Sequence, residues 1–408
     1  MSCGKSELCI FDRATPQIVV DNACFEEIFP VNSISGNTQA DIEFNIMGSN
    51  LEYLDLNDTL LHVEIKVVND KNKSYDQPND IIPINYMFHT LFKDVTLTLN
   101  TEKIEGGNGT YCQKALLETI INYGTDTRET SLTSIGYDES PDVRKAWIEN
   151  SKPFNMCGSL QLDFLDQPKY LIPGVNVHLR LQRNKSSMSL YSATLEPRIQ
   201  FISTKLLVRR VKVEPSVLMG HQIGLNTRNA IYPIRKTKLV TYLLSPGILS
   251  FNKDQIFGDN RLPKFVMIAF QNNSKYNGSY TEDCGTYNHC NISSLTLSKN
   301  SDFREVYTQN FSEDNYVSTY VSSMIRNMGH LDKNLNNGIS MKLFKEKYPF
   351  FTFVLSPDFD ISQTQLPGQG NLKVDVKFNT TFDKSVTMLI YGVFDDEIQI
   401  NKNRTVFT

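Results

Sequence analysis

The side chains best suited to chemistry in this 408-residue chain are six histidines, seven cysteines and one dense glycine cluster. Cys284 and Cys290 flank His289, and two thiolates with an imidazole supply three of the four ligands of a tetrahedral zinc site. No fourth ligand follows at metal-site spacing and no C-x-x-C pair occurs, so reduced thiols are the expectation. His62, His89, His178, His221, His289 and His330 are scattered, and none forms H-x-x-x-H or H-E-x-x-H. The stretch "EGGNGT", Glu105 to Thr110, lacks the Lys-Ser or Lys-Thr that a phosphate-cradling loop places after its glycines, and reads as a tight turn. No G-x-S-x-G elbow is present, and Asp395, Asp396 and Glu397 read as loop charges rather than a glycosidase pair. The expectation is a protein without catalytic residues, cofactor or metal.

One charged stretch stands out. Arg209, Arg210, Lys212, Arg228, Arg235, Lys236 and Lys238 are opposed locally by Glu214 alone. Two readings apply: a solvated linker, or a surface facing a polyanion, where Lys and Arg neutralise phosphates without reading sequence. The whole chain carries a formal charge of −4, which argues against a general nucleic-acid binder and leaves only this local stripe. Trp147, the single tryptophan, reads as a packing anchor before a ligand platform.

The elements that must position these residues are mostly strands. "ADIEFNIMG" places Ile42, Phe44 and Ile46 on one side, and "LLHVEIKVV" does the same with Leu61, Val63, Ile65 and Val67. "SLQLDFL", "VNVHLRLQ" and "NLKVDVKFN" repeat the pattern with Leu160, Leu162 and Phe164, with Val177, Leu179 and Leu181, and with Val374, Val376 and Phe378. Strict alternation means one buried face and one wet face, and many such strands argue a β-sandwich or barrel. Two segments have helical spacing instead: "QKALLETIINY", and "NYVSTYVSSMIRNMG" with Gly329 placed to cap it. Measured from Asp41 and from Lys238, these helices begin at offsets of 72 and 77, and late alternating strands at 134 and 133. Two copies of one sandwich, joined near Val213 to Pro215, account for the shared order. At 40% hydrophobic and 21% charged residues the chain is ordinary globular protein, long enough for about two or three domains. Lys5, Glu7, Asp12 and Arg13 break any signal-peptide apolar region, and the longest apolar run, "FVMIAF", is far short of a membrane span. Synthesis inside the cell is therefore expected, and the many N-x-[ST] triplets read as accidents of an Asn-rich composition.

The stretch "INYMFHTLFKDVTLTLN" resembles a segment of the major capsid proteins of Polinton (Maverick) elements and adintoviruses, through Asn85, His89, Thr90, Leu91, Phe92, Val95, Leu97 and Asn100. "YLDLNDTLLHVEIKV", "YCQKALLETIINYG", "QIFGDNRLPKFVMIAFQNNSKYNGS" and "YGVFDDEIQINKNRTV" are similar to further segments of that family, in the same order, so that the resemblance runs from Phe29 to Val406. "YTEDCGTYNHCNISSLTL" departs from it by lacking an Asn-Pro-Phe before the strand at Ser294.

The resemblance implies an all-β fold of two tandem eight-stranded antiparallel jelly rolls, a double jelly roll with a short helix in each. It implies an N-terminal arm over 1–25, a first jelly roll over 26–213 and a second over 214–408. The implied function is that of a major capsid protein, a non-enzymatic subunit forming homotrimers of pseudo-hexagonal outline that tile an icosahedral shell around double-stranded DNA. The implied partners are further copies of itself, a minor (penton) capsid protein and, through the basic stretch, the packaged DNA; the implied location is the virion. A carbohydrate-binding β-sandwich module of lectin type is the alternative, since jelly rolls also serve lectins.

Overall fold

The computed structural model describes residues 17–32, 34, 40–75, 80–300, 303–328, 337–356, 364 and 368–407. The first half contributes β1 Val20–Ile28, β2 Ile42–Ile46, β3 Glu52–Val68, β4 Phe92–Leu99, β5 Glu102–Glu105, β6 Phe154–Gly158, β7 Val177–Arg183 and β8 Arg198–Val213. A helix, α1 Tyr111–Asn122, lies between β5 and β6. The strands form two antiparallel sheets, ordered β1-β8-β3-β6 and β2-β7-β4-β5. After α2, Pro215–Leu225, come β9 Ala230–Leu244, β10 Ser250–Lys253, β11 Phe265–Asn272, β12 Ile292–Lys299, β13 Phe303–Thr308, β14 Phe351–Val354, β15 Leu372–Phe378 and β16 Val386–Ile400. Their sheets are ordered β9-β16-β11-β14 and β10-β15-β12-β13, with the short β17 Val406–Phe407 added to β16. Each order of the second half is that of the first with every strand number raised by eight, so the chain holds the same jelly roll twice. The helical insertion also recurs between the fifth and sixth strands, as α3 Val317–Tyr320 running into a π-helical turn at Val321–Arg326.

The alternating residues are the core. Ile42, Phe44 and Ile46 of β2, Leu61, Val63 and Ile65 of β3, Leu179 and Leu181 of β7, and Val374 and Val376 of β15 are all buried. Facing sheets of each jelly roll bring these rows together, and the hydrophobic effect on them is the main force closing each sandwich. β8 shifts register twice against β3, at Phe201/Ser203 and Leu207/Arg209, the bulges by which a 16-residue strand bends and twists over its sheet.

Four expectations are corrected. "SLQLDFL" is not a strand: the last strand before it, β6, ends at Gly158, and the carbonyl of Leu162 accepts from the amides of Leu165 and Asp166 in a turn. Leu160, Leu162 and Phe164 are nonetheless buried, because this turn is wedged against the second half, with the Phe164 ring 5.7 Å from that of Tyr232. Alternating burial arises there without a ladder. Residues 20–25, assigned to an arm, belong to β1 and pair with β8; residues 1–16 lie outside the described residues. The second helix is shorter than its spacing predicts, since Ser323 donates back to the Thr319 carbonyl and Thr352 takes the Ser323 carbonyl, opening the turn to π geometry. Gly329, its expected cap, lies outside the described residues. Finally, each half carries more than one helix: Thr125–Glu129 and Pro141–Ile148 follow α1, and Met341–Glu346 follows α3.

Candidate functional site

The densest group of titratable side chains lies where the two jelly rolls meet. Lys114 projects from α1, and its Nζ is 2.5 Å from Glu105 Oε1, 2.7 Å from Asp163 Oδ1 and 3.9 Å from Glu118 Oε1. Asp163 sits in the wedged turn; its carboxylate accepts from the Thr237 amide and hydroxyl of β9, both at 2.7 Å. Glu118 accepts from the Tyr391 hydroxyl of β16 at 2.9 Å. The second half therefore anchors on the first through two carboxylates held by one buried lysine. Three ionised carboxylates against one ammonium would leave uncompensated buried charge, which is costly. Burial, with Asp163 and Glu105 close by, pushes the Glu118 carboxyl up to about 8 despite Lys114 and the Tyr391 hydrogen bond. Glu105 is raised and Lys114 is raised with it. Cavities of about 300 Å³ and about 120 Å³ open on either side of the cluster.

The seven cations of the basic stretch do not form one free patch. Arg209 is 3.1 Å from Asp55 and 2.5 Å from Asp58; Arg210 is 2.5 Å from Glu26; Lys212 is 3.4 Å from Asp21. Across the junction, Lys236 is 2.9 Å from Asp396 and Lys238 pairs with Asp259. Arg235 faces Asp166, whose carboxyl is raised by burial and drawn back down by that guanidinium. Arg228 is exposed and makes no ion pair among the described residues. The partners of the others come from far away in sequence, which is why Glu214 alone was visible locally.

Most of the remaining chemical candidates are internally occupied, and His330 lies outside the described residues. The glycine turn binds its own carboxylate: Asp94 accepts from the amides of Gly107 at 2.5 Å and Gly109 at 3.0 Å. A Cβ on Gly106, at φ 93°, would lie 2.1 Å from the Val95 carbonyl oxygen, so this turn needs glycine there. Cys284 donates its thiol to the Met188 carbonyl at 2.9 Å, and His289 stacks on Phe311 at 4.4 Å. Asp395 and Asp396 receive Lys264 and Lys236 at 2.5 and 2.9 Å. His178 sits 3.6 Å from Glu43, and His221 is 2.7 Å from the Tyr53 hydroxyl. Trp147 stacks on Phe154 at 5.0 Å.

The outside is less ordinary. α2 contains no charged side chain and no fully buried one, and exposes Met219 and Ile223; Phe25, Phe29, Met47 and Leu51 are exposed as well. Sequence reasoning missed both this apolar surface and the Lys114 cluster. The only local signal of the cluster was the Lys114–Glu118 pair, four residues apart on a helix.

Two antiparallel jelly rolls in tandem, fused through a buried polar junction, define the class of fold, the double jelly roll. Solved structures of that class align along nearly the whole chain. PBCV-1 VP54, fitted into a reconstruction of the virophage Sputnik, covers 98% of this chain and 99% of its own with a TM-score of 0.60 at 12% identity. The cryo-EM structure of the Sputnik virophage covers 100% and 92% with a TM-score of 0.60 at 11% identity, and the mavirus major capsid protein 99% and 93% with 0.55 at 13%. No family model matches the sequence. Among curated proteins, the uncharacterized protein F54H12.2 of Caenorhabditis elegans is 22% identical over 379 residues, covering 86% of this chain and 89% of that protein.

Proposed function

We propose that the chain is a major capsid protein, a non-enzymatic shell subunit whose three copies form a block of pseudo-hexagonal outline. The observation that carries this reading is the duplicated strand order, spread over the same length as the capsid proteins it aligns with. Six similar sandwiches in a trimer approximate hexagonal symmetry, which is what a block needs to tile an icosahedral lattice. The exposed apolar side chains of α2 and β1 suit burial between copies, since patches of this kind on a soluble domain mark interaction surfaces. The jelly rolls β1–β8 and β9–β16 are the two folding bodies in this reading, and a penton protein and double-stranded DNA are the further partners. Arg228, with the already paired cations of Arg209 to Lys238, is the genome-facing charge. A gene of Polinton (Maverick) or adintovirus type is its source in this reading, on the sequence segments that resemble that family.

The test is the mass of the purified protein in solution, combined with electron microscopy of the same sample. Stable trimers of hexagonal outline, or closed shells, are expected. A strict monomer at high concentration would overturn the reading.

A further inference from the structure

The run from Pro215 to Thr227 carries no Asp, Glu, Lys or Arg, and most of it forms α2. The helix packs by one side: Val217, Leu218 and Leu225 rest half-buried against the core, and His221 Nδ1 lies 2.7 Å from the Tyr53 hydroxyl. Met219 and Ile223, one helical turn apart, point the other way and are 63% and 64% exposed. On a surface helix that side is ordinarily polar. Gly220 and Gly224 adjoin them, and a Cβ on either would meet nothing within 4 Å. No contact inside the chain therefore requires glycine there, although glycine weakens a helix; bare backbone lets another segment approach closely. The apolar surface continues beyond the helix. Arg210 donates to the Met47 carbonyl at 3.0 Å, Leu51 precedes the Glu52–Lys212 pair of β3 and β8, and the Glu214 amide donates to the Val19 carbonyl at 3.0 Å. Exposed Ile18, Val19, Met47 and Leu51 thus lie around the end of β8 from which α2 departs. Apolar side chains gathered in this way mark an interaction surface.

What covers it is indicated by where the chain enters. Gln17 is fixed there, its Oε1 accepting from the Val20 amide at 2.9 Å, and Val19 is bonded to Glu214, the N-cap of α2. Residues 1–16, which lie outside the described residues, are tethered at the foot of this helix. They carry one run of large apolar side chains, Leu8, Cys9, Ile10 and Phe11, between Glu7 and Asp12. The chain from Phe11 to Ile18 can span up to about 24 Å, and Ile223 lies about 14 Å along α2 from Glu214. A tether this short gives the segment an effective concentration of order millimolar, which no second copy matches in dilute solution. We infer that Leu8 to Phe11 lie on Met219 and Ile223 of the same chain. The inference does not rest on the capsid reading; within that reading, neighbouring copies reach this face only as the segment leaves it.

The experiment uses the full chain in a C3S/C24S background, which leaves Cys9 as the cysteine of its segment, together with Ile223→Cys and a short bismaleimide cross-linker at low protein concentration. Peptides linked between Cys9 and position 223 within a monomer are expected by mass spectrometry. I10D/F11D puts charge into the contact and leaves the tether unchanged, and should slow the linkage about tenfold or more. Leu243→Cys in place of Ile223→Cys, exposed and about 43 Å along β9 from Ala230, sets the rate of chance linkage. An apolar dye reads the same contact independently: I10D/F11D should raise its fluorescence, and adding M219S/I223S should remove the rise. Equal linkage in I10D/F11D, a rate no greater than that of the Leu243→Cys chain, linkage between two chains instead of within one, or unchanged dye fluorescence would overturn the inference. Neither readout involves shells, so a failure of assembly in the microscope counts against the capsid reading alone.

Discussion

Tyr86, Met87, Phe88 and Phe92 crowd four large apolar side chains into a short stretch before a half-buried strand. All four are buried within the single chain, so none waits for a neighbouring subunit. Phe88 meets Phe92 edge-on at 6.4 Å, Phe92 meets Phe201 at 6.2 Å, and Tyr86 stacks on Tyr137 at 5.1 Å with its backbone at φ 59°. The cluster plugs the open end of the first sandwich and reaches β8 through Phe201. Phe88→Ala is expected to destabilise the fold by about 3–5 kcal/mol, the cost of a large buried cavity. Chemical denaturation of dilute protein, before any assembly, measures it; an unchanged midpoint would show that the plug carries little stability. His89 beside it is fully enclosed, and burial lowers its imidazole to about 3. Folding therefore holds it neutral, and its share of stability is lost as pH falls from about 6.5 toward 3.

At the scale of elements, α1 is the hinge of the design. Its apolar stripe faces the first sandwich, and its polar side carries Lys114 and Glu118 into the junction with β9 and β16. Glu118 has a pKa of about 8 in the folded chain and 4.5 ordinarily, so between these values the native state keeps a proton that the unfolded chain has released. The unfolded state then binds fewer protons than the native state, and stability must fall as pH rises through that window. From pH 6.5 to 8, above the range where His89 contributes, the melting temperature of the natural protein is expected to drop. Glu118→Gln, neutral at every pH and still able to accept from Tyr391, should flatten that drop. A variant as steep as the natural protein would move the titration to another group.

For the whole molecule, the pairing of cations with distant carboxylates decides how much charge is available to a polyanion. Arg209, Arg210, Lys212, Lys236 and Lys238 all have carboxylate partners and Arg235 faces Asp166, which leaves Arg228 as the exposed cation of the stretch without an ion pair among the described residues, and in the capsid reading the one that DNA would meet first. Non-specific phosphate contacts weaken when a cation is reversed, and do so more at low salt. Arg228→Glu is therefore expected to lower DNA retained per shell while shells still form, read as the nucleic-acid to protein absorbance ratio of purified particles. Intact shells with unchanged DNA content would exclude this residue from genome contact.

The sequence by itself determined which face of most strands is buried, because side chains of an extended backbone alternate with a period of two whatever the strand pairs with. It also carried the duplication in outline, through the shared order of strands, helix and late strand, but not the offsets: Lys238 lies inside β9, the counterpart of β1, whereas Asp41 precedes β2, whose counterpart β10 begins at Ser250, and only the eight-strand shift in sheet order aligns the halves. Only the tertiary structure decided the turn at Leu160 to Leu165, where burial against the second jelly roll imitates the alternation of a strand. Likewise, nothing near Lys114 announces Asp163 or Tyr391, and nothing near Lys236 announces Asp396. Charges pair through space at a few ångströms, and residues separated by 49 to 273 positions come within that reach only when both sandwiches are folded and docked.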